Sequence, residues 1–355
     1  MEKQEGVTRS GFIDFIKGVS IIGVFIIHVI LLIPPGHDYF MLGQFIDVLF
    51  RFAVPVFIGV LGYMTYKKYI NIDNWSVFIK SKFLILGVPY ILWSIVYLYF
   101  VPNHYYIPKT DIGLFSGIFL GDAEVHLYFM IAYFLFILLT PSIVAVLKSF
   151  SRRFMSKILL LISMLHLLYI AIMENVLLSR NTELINNTFY IVTEGKLPIH
   201  WLIYYCSGVV LAMYIKKFSS WLKRNELLIR FSVPIIVLLN VLLIVVLLIT
   251  NRSQVIYFSP YLYPITLSAV ILLFIFYKTL FFEKANGYIA YLGKNTFQFY
   301  LSHILFIKVV FIYVFNSDIT IINLMATFIL SFIMTIIYTI LYNRFINYPK
   351  KRRRS

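Results

Sequence analysis

Ten apolar runs, each near the length of a membrane crossing and each bounded by polar or charged residues, constrain this sequence more than any other feature. They lie roughly at 12–33, 44–66, 78–100, 124–147, 154–173, 198–215, 227–249, 257–280, 288–313 and 319–346. A helix needs about 20 apolar residues to cross a hydrocarbon layer roughly 30 Å thick. Within that layer each backbone N–H and C=O must be satisfied inside the protein, a condition that helices meet. The expectation is an all-α fold, a polytopic membrane helix bundle of about ten transmembrane helices. Composition agrees, since 61% of the 355 residues are hydrophobic and 13% charged, leaving more apolar surface than a water-soluble fold could cover.

Charge gives the expected direction. Lys and Arg number 31 against 15 Asp and Glu, a net +16, but the excess is distributed by loop rather than gathered into a nucleic-acid-binding patch. Alternate connections hold pairs such as Lys67–Lys68, Arg152–Arg153 and Lys216–Lys217, and the tail Lys350–Arg354 belongs with them. The other connections offer Lys109, Arg180, Lys196 and Arg252. Basic residues collect in cytoplasmic loops, so both termini are expected there, with a membrane domain over 1–346 and a basic tail over 347–355 near anionic lipid. No nucleic-acid partner is implied. The single cysteine, Cys206, allows neither an internal disulfide nor a Cys-based metal site. The first run, Phe12–Ile33, is too long for the core of a cleavable leader.

Ionisable groups within the hydrocarbon layer cost a few kcal/mol each, which makes them functional candidates. In the first run Asp14, Lys17, Ile21, Phe25 and His28 fall on one helical face. At 1.5 Å per residue His28 lies about 24 Å up its span, and Arg51 about 10 Å down the returning one, so the two share a depth. His126 (with Glu124 just before it) and His200 open spans from the same side, and His303 reaches about 22 Å up the ninth span. One outer polar layer is therefore expected at His28, Arg51, His126, His200 and His303. An inner layer is expected at Arg9, Asp14, Lys17, Lys80 and Lys82. Plainer readings stand beside these. His200 and His104 suit interfacial anchoring, His166 a helix–helix hydrogen bond, and Lys308 outward snorkelling. Lys80 and Lys82 suit positive-inside bias, and Arg51 has Asp47 at i−4 as a simple partner.

The order of these residues resembles the acyltransferase-3 family of bacterial integral membrane transacylases. Arg9, Asp14, Lys17 and His28 are similar to its opening Arg…Asp…basic…His signature. Arg51, Pro55, Phe57, Gly62 and Tyr63 match its second-span pattern, and Lys82 with Pro89 its third. His126, Leu127, Phe129 and Pro141, then Gly293, Thr296, Tyr300 and His303, resemble two later segments. Lys17 stands where Arg is commoner, Tyr128 where Trp is usual, and Leu61 where a Ser often precedes the glycine. The chain resembles the single-domain type, which includes proteins implicated in O-acylation of exopolysaccharides.

The resemblance implies transfer of an acetyl or similar short acyl group from cytoplasmic acyl-CoA, acetyl-CoA foremost, to a hydroxyl of an extracytoplasmic glycan or lipid-linked sugar. It assigns His28, Arg51 and Asp14 to catalysis, and Arg9, Lys17, Lys80 and Lys82 to the phosphates of acyl-CoA. His126, Tyr300, His303 and Glu124 fall to orienting the acceptor. No metal is implied, membrane lipid is the surrounding partner, and self-association stays open. A transporter or flippase exporting a polysaccharide or lipid-linked sugar is the competing class, because intramembrane Arg and His suit it as well. Against it, the sequence shows no inverted repeat.

Overall fold

The computed structural model describes residues 11–101, 113–178, 195–252, 257–279 and 283–352. Among these residues the secondary structure is helical throughout, and nine helices are long and apolar enough to cross a membrane. The chain is a multi-pass membrane protein. Its helices are α1 (Gly11–Ile30), α2 (Phe40–Phe50), α3 (Ala53–Lys67), α4 (Trp75–Lys82), α5 (Val88–Tyr99) and α6 (Leu114–Phe119). Then follow α7 (Tyr128–Ser149), α8 (Arg152–Leu178), α9 (Leu202–Arg224), α10 (Glu226–Ile249) and α11 (Leu262–Thr279). The chain closes with α12 (Glu283–Lys294), α13 (Thr296–Val309) and α14 (Ile321–Arg352).

Every expected span carries a helix, with two differences of detail. The apolar stretch of α11, Leu262–Tyr277, is shorter than the others. The expected run 288–313 is broken at Asn295, so α12 ends before α13 begins. Asn295 satisfies itself locally and across the bundle: its Nδ2 donates to the Tyr291 carbonyl at 2.8 Å, and its Oδ1 accepts from Asn343 at 2.8 Å. A side chain that bonds its own backbone in this way competes with helix continuation.

Two further interruptions follow from proline. Pro55 has no N–H to give the carbonyl of Arg51, and α2 gives way to α3 at Arg51–Phe52. Pro89, likewise, is preceded by a π-helical turn, Phe83–Gly87, in which the Val88 N–H reaches back to the Phe83 carbonyl.

α1 is the hub of the bundle, packed against α2, α3, α11, α12, α13 and α14. Lipid offers apolar side chains the same company as protein, so close helix pairing relies on small residues and van der Waals fit. Two such crossings hold the bundle. A Cβ added at Gly18 would stand 2.0 Å from the Ile289 carbonyl oxygen, and one at Gly293 would stand 1.6 Å from that of Asp14, so α1 and α12 touch backbone to backbone. α3 and α9 do the same: a Cβ at Gly62 would meet the Tyr205 oxygen at 2.1 Å, and one at Gly208 the Gly59 oxygen at 1.8 Å.

Side chains at these positions must push backbones apart. Gly208→Val and Gly293→Val are each expected to cost about 3 kcal/mol or more, at or beyond the upper end of ordinary overpacking. Gly287→Ala, where nothing lies within 4 Å, should be neutral or slightly stabilising. Melting of detergent-solubilised protein, followed by fluorescence-detected size exclusion, reads the contrast.

Candidate active site

Three segments far apart in sequence bring histidines together. α1 supplies His28, two residues before its end. The turn before α7 supplies His126, and α13 supplies His303. Centroid to centroid, the His28 ring lies 5.0 Å from His303 and 6.1 Å from His126, and the latter two are 5.0 Å apart. His126 and His303 are buried, while His28 is half-buried.

His303 has a defined orientation. Its Nδ1 lies 2.7 Å from the Tyr300 carbonyl oxygen, which can only accept, so Nδ1 carries the hydrogen and Nε2 the lone pair. That Nε2 has no hydrogen-bond partner among the described residues, on a ring that is 0% exposed. An unsatisfied buried nitrogen costs about 1–3 kcal/mol. It is a lone pair waiting beside two other imidazoles.

The His126 turn is shaped by Gly121, whose φ of +75° favours a residue without a Cβ. From the other side the turn is held to α13. The Tyr300 hydroxyl donates to the His126 carbonyl, and the Tyr300 and Tyr97 rings pack on the imidazole at 4.9 and 5.2 Å. Tyr97 is itself fixed, donating to the Leu301 carbonyl at 2.8 Å.

Lys308 corrects the snorkelling expectation. Its ammonium lies 2.7 Å from Glu124, and the two side chains are only 4% and 1% exposed. Its position near the end of α13 suggests water within reach, but the side chain points into the bundle. The same pattern recurs. Lys196 pairs with Asp122 at 2.5 Å, and Arg252 with Glu174. These pairs span 74 or more residues of sequence, and their only trace there is that basic and acidic residues accompany one another in otherwise sparsely charged segments.

Arg51 and His200 gather a short way off, around residues 257–258. Arg51 pairs with Asp47 at 2.8 Å and lies over the Tyr257 ring at 4.7 Å. His200 is 1% exposed, within 3.2 Å of the Tyr169 hydroxyl and packed against Phe258, so it sits inside the bundle and not at an interface. His166 is also buried, its ring 6.0 Å from that of Tyr169. A row of rings links the two groups. Tyr257 meets Trp201, Trp201 meets Phe129, Phe129 meets Tyr300 and Tyr300 meets His126, at centroid distances from 4.9 to 6.4 Å.

Toward the other end of α1, Asp14 is buried and pairs with Lys17 at 3.2 Å. Lys82, on α4, lies over the Tyr69 and Phe78 rings at 5.2 and 5.5 Å, and Lys80 is exposed on the same helix. Arg9 and His104 lie outside the described residues. Among those described, no group of three or more His, Cys, Asp or Glu has the arrangement to hold a metal ion.

A protein-family model described as an acyltransferase domain matches residues 10–344, nearly the whole chain. No curated protein and no solved structure gives a significant match.

Removing one member of a buried ion pair strands the other. Lys308→Ala is therefore expected to destabilise the protein by about 3–5 kcal/mol. The check is a lower melting temperature and a lower yield of monodisperse protein than for a lipid-facing control such as Leu165→Ala, whose side chain is exposed.

Proposed function

Because the chain belongs to the acyltransferase-3 family and is accordingly a membrane acyltransferase, we propose that it moves a short acyl group from cytoplasmic acyl-CoA to a hydroxyl of an extracytoplasmic glycan or lipid-linked sugar. The observation that carries this reading is the meeting of His28, His126 and His303 at ring separations of 5.0–6.1 Å. A sugar hydroxyl is too weakly acidic to attack a thioester unassisted, and imidazole is the side chain best suited to take its proton near neutral pH.

His28 is the base. As the acceptor oxygen attacks the thioester carbon, the hydroxyl proton passes to His28. Collapse of the tetrahedral intermediate breaks the C–S bond, and the proton goes on to the departing sulfur. The products are the O-acyl ester and free CoA. His126 and His303 line the place where the hydroxyl sits, with Tyr300 fixing both rings and Glu124 anchoring the turn. The half-buried state of His28 supports this division, since it is the least enclosed ring of the three.

Arg51, tied to Asp47, supplies positive charge to the developing oxyanion or to an anionic group of the acceptor. Asp14 holds Lys17 in place. Arg9, Lys17, Lys80 and Lys82 meet the donor's phosphates, and lysine acts there as a point charge where arginine would grip bidentately. Loop charge supports this direction of transfer, with both termini, and hence the acyl-CoA side, in the cytoplasm of a bacterial cell.

Transfer of labelled acetyl from acetyl-CoA in membranes tests the reading. His28→Ala protein that inserts normally should lose activity about 10²–10⁴-fold. Full activity in that variant refutes His28 as base. Export of a sugar with no gain in acceptor mass, in protein that consumes no acyl-CoA, favours the transporter.

A further inference from the structure

We propose that the buried Lys308–Glu124 ion pair is a positioning clamp that sets the His126 turn against α13, so that His126 faces His303 and His28. Glu124 stands two residues before His126, and Lys308 five residues after His303, so one contact couples the two elements that carry these rings. The turn has little structure of its own. Short backbone bonds, Leu127 N–H to the Glu124 carbonyl at 2.9 Å and Met130 N–H to Leu127 at 3.0 Å, shape it locally but do not place it. The start of the turn is tied elsewhere, by Lys196 on Asp122 and by the Ala123 N–H on the Gly117 carbonyl of α6. The stretch that carries His126 is placed by α13 and what α13 holds: the Tyr300 hydroxyl on the His126 carbonyl, the Tyr97 ring on the imidazole, and Lys308 on Glu124.

Of these contacts the ion pair is the costly one. Two charges with side chains 4% and 1% exposed have given up solvation that a pair of apolar residues would not have to give up. Net stability is a weak reason for such a pair. Direction is a better one, because a charge-assisted bond of 2.7 Å fixes distance and angle as methyl contacts do not. Tyr300 joins both rings by a second path, its carbonyl orienting His303 and its hydroxyl holding the His126 backbone. The clamp therefore bears on His126 while Tyr300 keeps the His303 ring in its tautomer.

The consequence for turnover rests on the acyl-transfer reading; the placement of the turn rests on geometry alone. Two measurements keep these apart. In a Cys206→Ser background, His126→Cys and His303→Cys are bridged with a short bis-methanethiosulfonate reagent, and the linked peptide is followed by mass spectrometry. The link should form readily, and its rate should fall when Lys308→Met and Glu124→Gln are added together, a change that removes both charges and strands neither. In the otherwise natural chain the same double change should lower kcat for acetyl transfer about 10–100-fold, as a small misplacement does. KM for acetyl-CoA should stay within about twofold, and Lys308→Arg should retain most of the activity.

Where the double variant fails to insert, Glu124→Asp carries both measurements, keeping the charges and shortening the reach. A cross-linking rate equal to the parent's in the tested variant overturns the clamp, and so does an unchanged kcat. If the parent transfers no acyl group, the acyl-transfer reading fails and the cross-link alone decides the clamp.

Discussion

The backbone contact between α1 and α12 at Gly18 and Gly293 is the constraint on which the site depends. α12 leads directly into α13, so the depth at which it seats on α1 decides where His303 arrives relative to His28. In water such seating would follow from burying apolar faces. In lipid that drive is absent, and steric fit between surfaces without side chains takes its place. The α3–α9 crossing at Gly62 and Gly208 plays the matching part across the bundle, carrying Trp201 and Tyr205 inward from the start of α9. Tyr205 then donates to Thr65 at 2.8 Å and stacks on Phe136 at 4.7 Å, which joins α7 to the same frame.

Polar chemistry is laid over this frame by pairing. The pairs of Glu124, Asp122, Glu174 and Asp47 with Lys308, Lys196, Arg252 and Arg51 let a protein rich in apolar side chains keep charge near its interior. Unpaired, any of these groups would face a penalty of several kcal/mol. The Nε2 of His303 departs from that rule. It sits in a well-packed environment with its tautomer fixed and its lone pair unused, which suits a site whose remaining partner arrives with the reactants.

How much of this was legible in the sequence follows from what each signal measures. Hydropathy reports length and medium, so the spans were readable with their order. Rise per residue gives depth, and depth alone brought His28, His126 and His303 into one layer. Depth does not give the side of a helix. For that reason His200 and Arg51, expected in the same layer, stand in a separate group around Tyr257 and Phe258. The pairing of Lys308 is invisible in the sequence on similar grounds: snorkelling weighs the distance to water, and the acid that holds this ammonium is 184 residues away. The break at Asn295 does leave a trace, the polar stretch Gly293–Thr296 inside the run 288–313, but span length alone passes over it, whereas the structure stops the helix there with a side-chain bond.

The π-helical turn Phe83–Gly87 has its own consequence for this arrangement. One extra residue in a helical turn advances everything beyond it by about 100° around the axis. α4 and α5 therefore run as one rod with two phases. The first turns Lys82 to Tyr69, and the second turns Tyr90, Ser94 and Tyr97 toward the protein interior. Were the rod in a single phase, Tyr97 would rotate toward the acyl chains of the bilayer, and both the Leu301 carbonyl and the His126 ring would lose the neighbour that now steadies them.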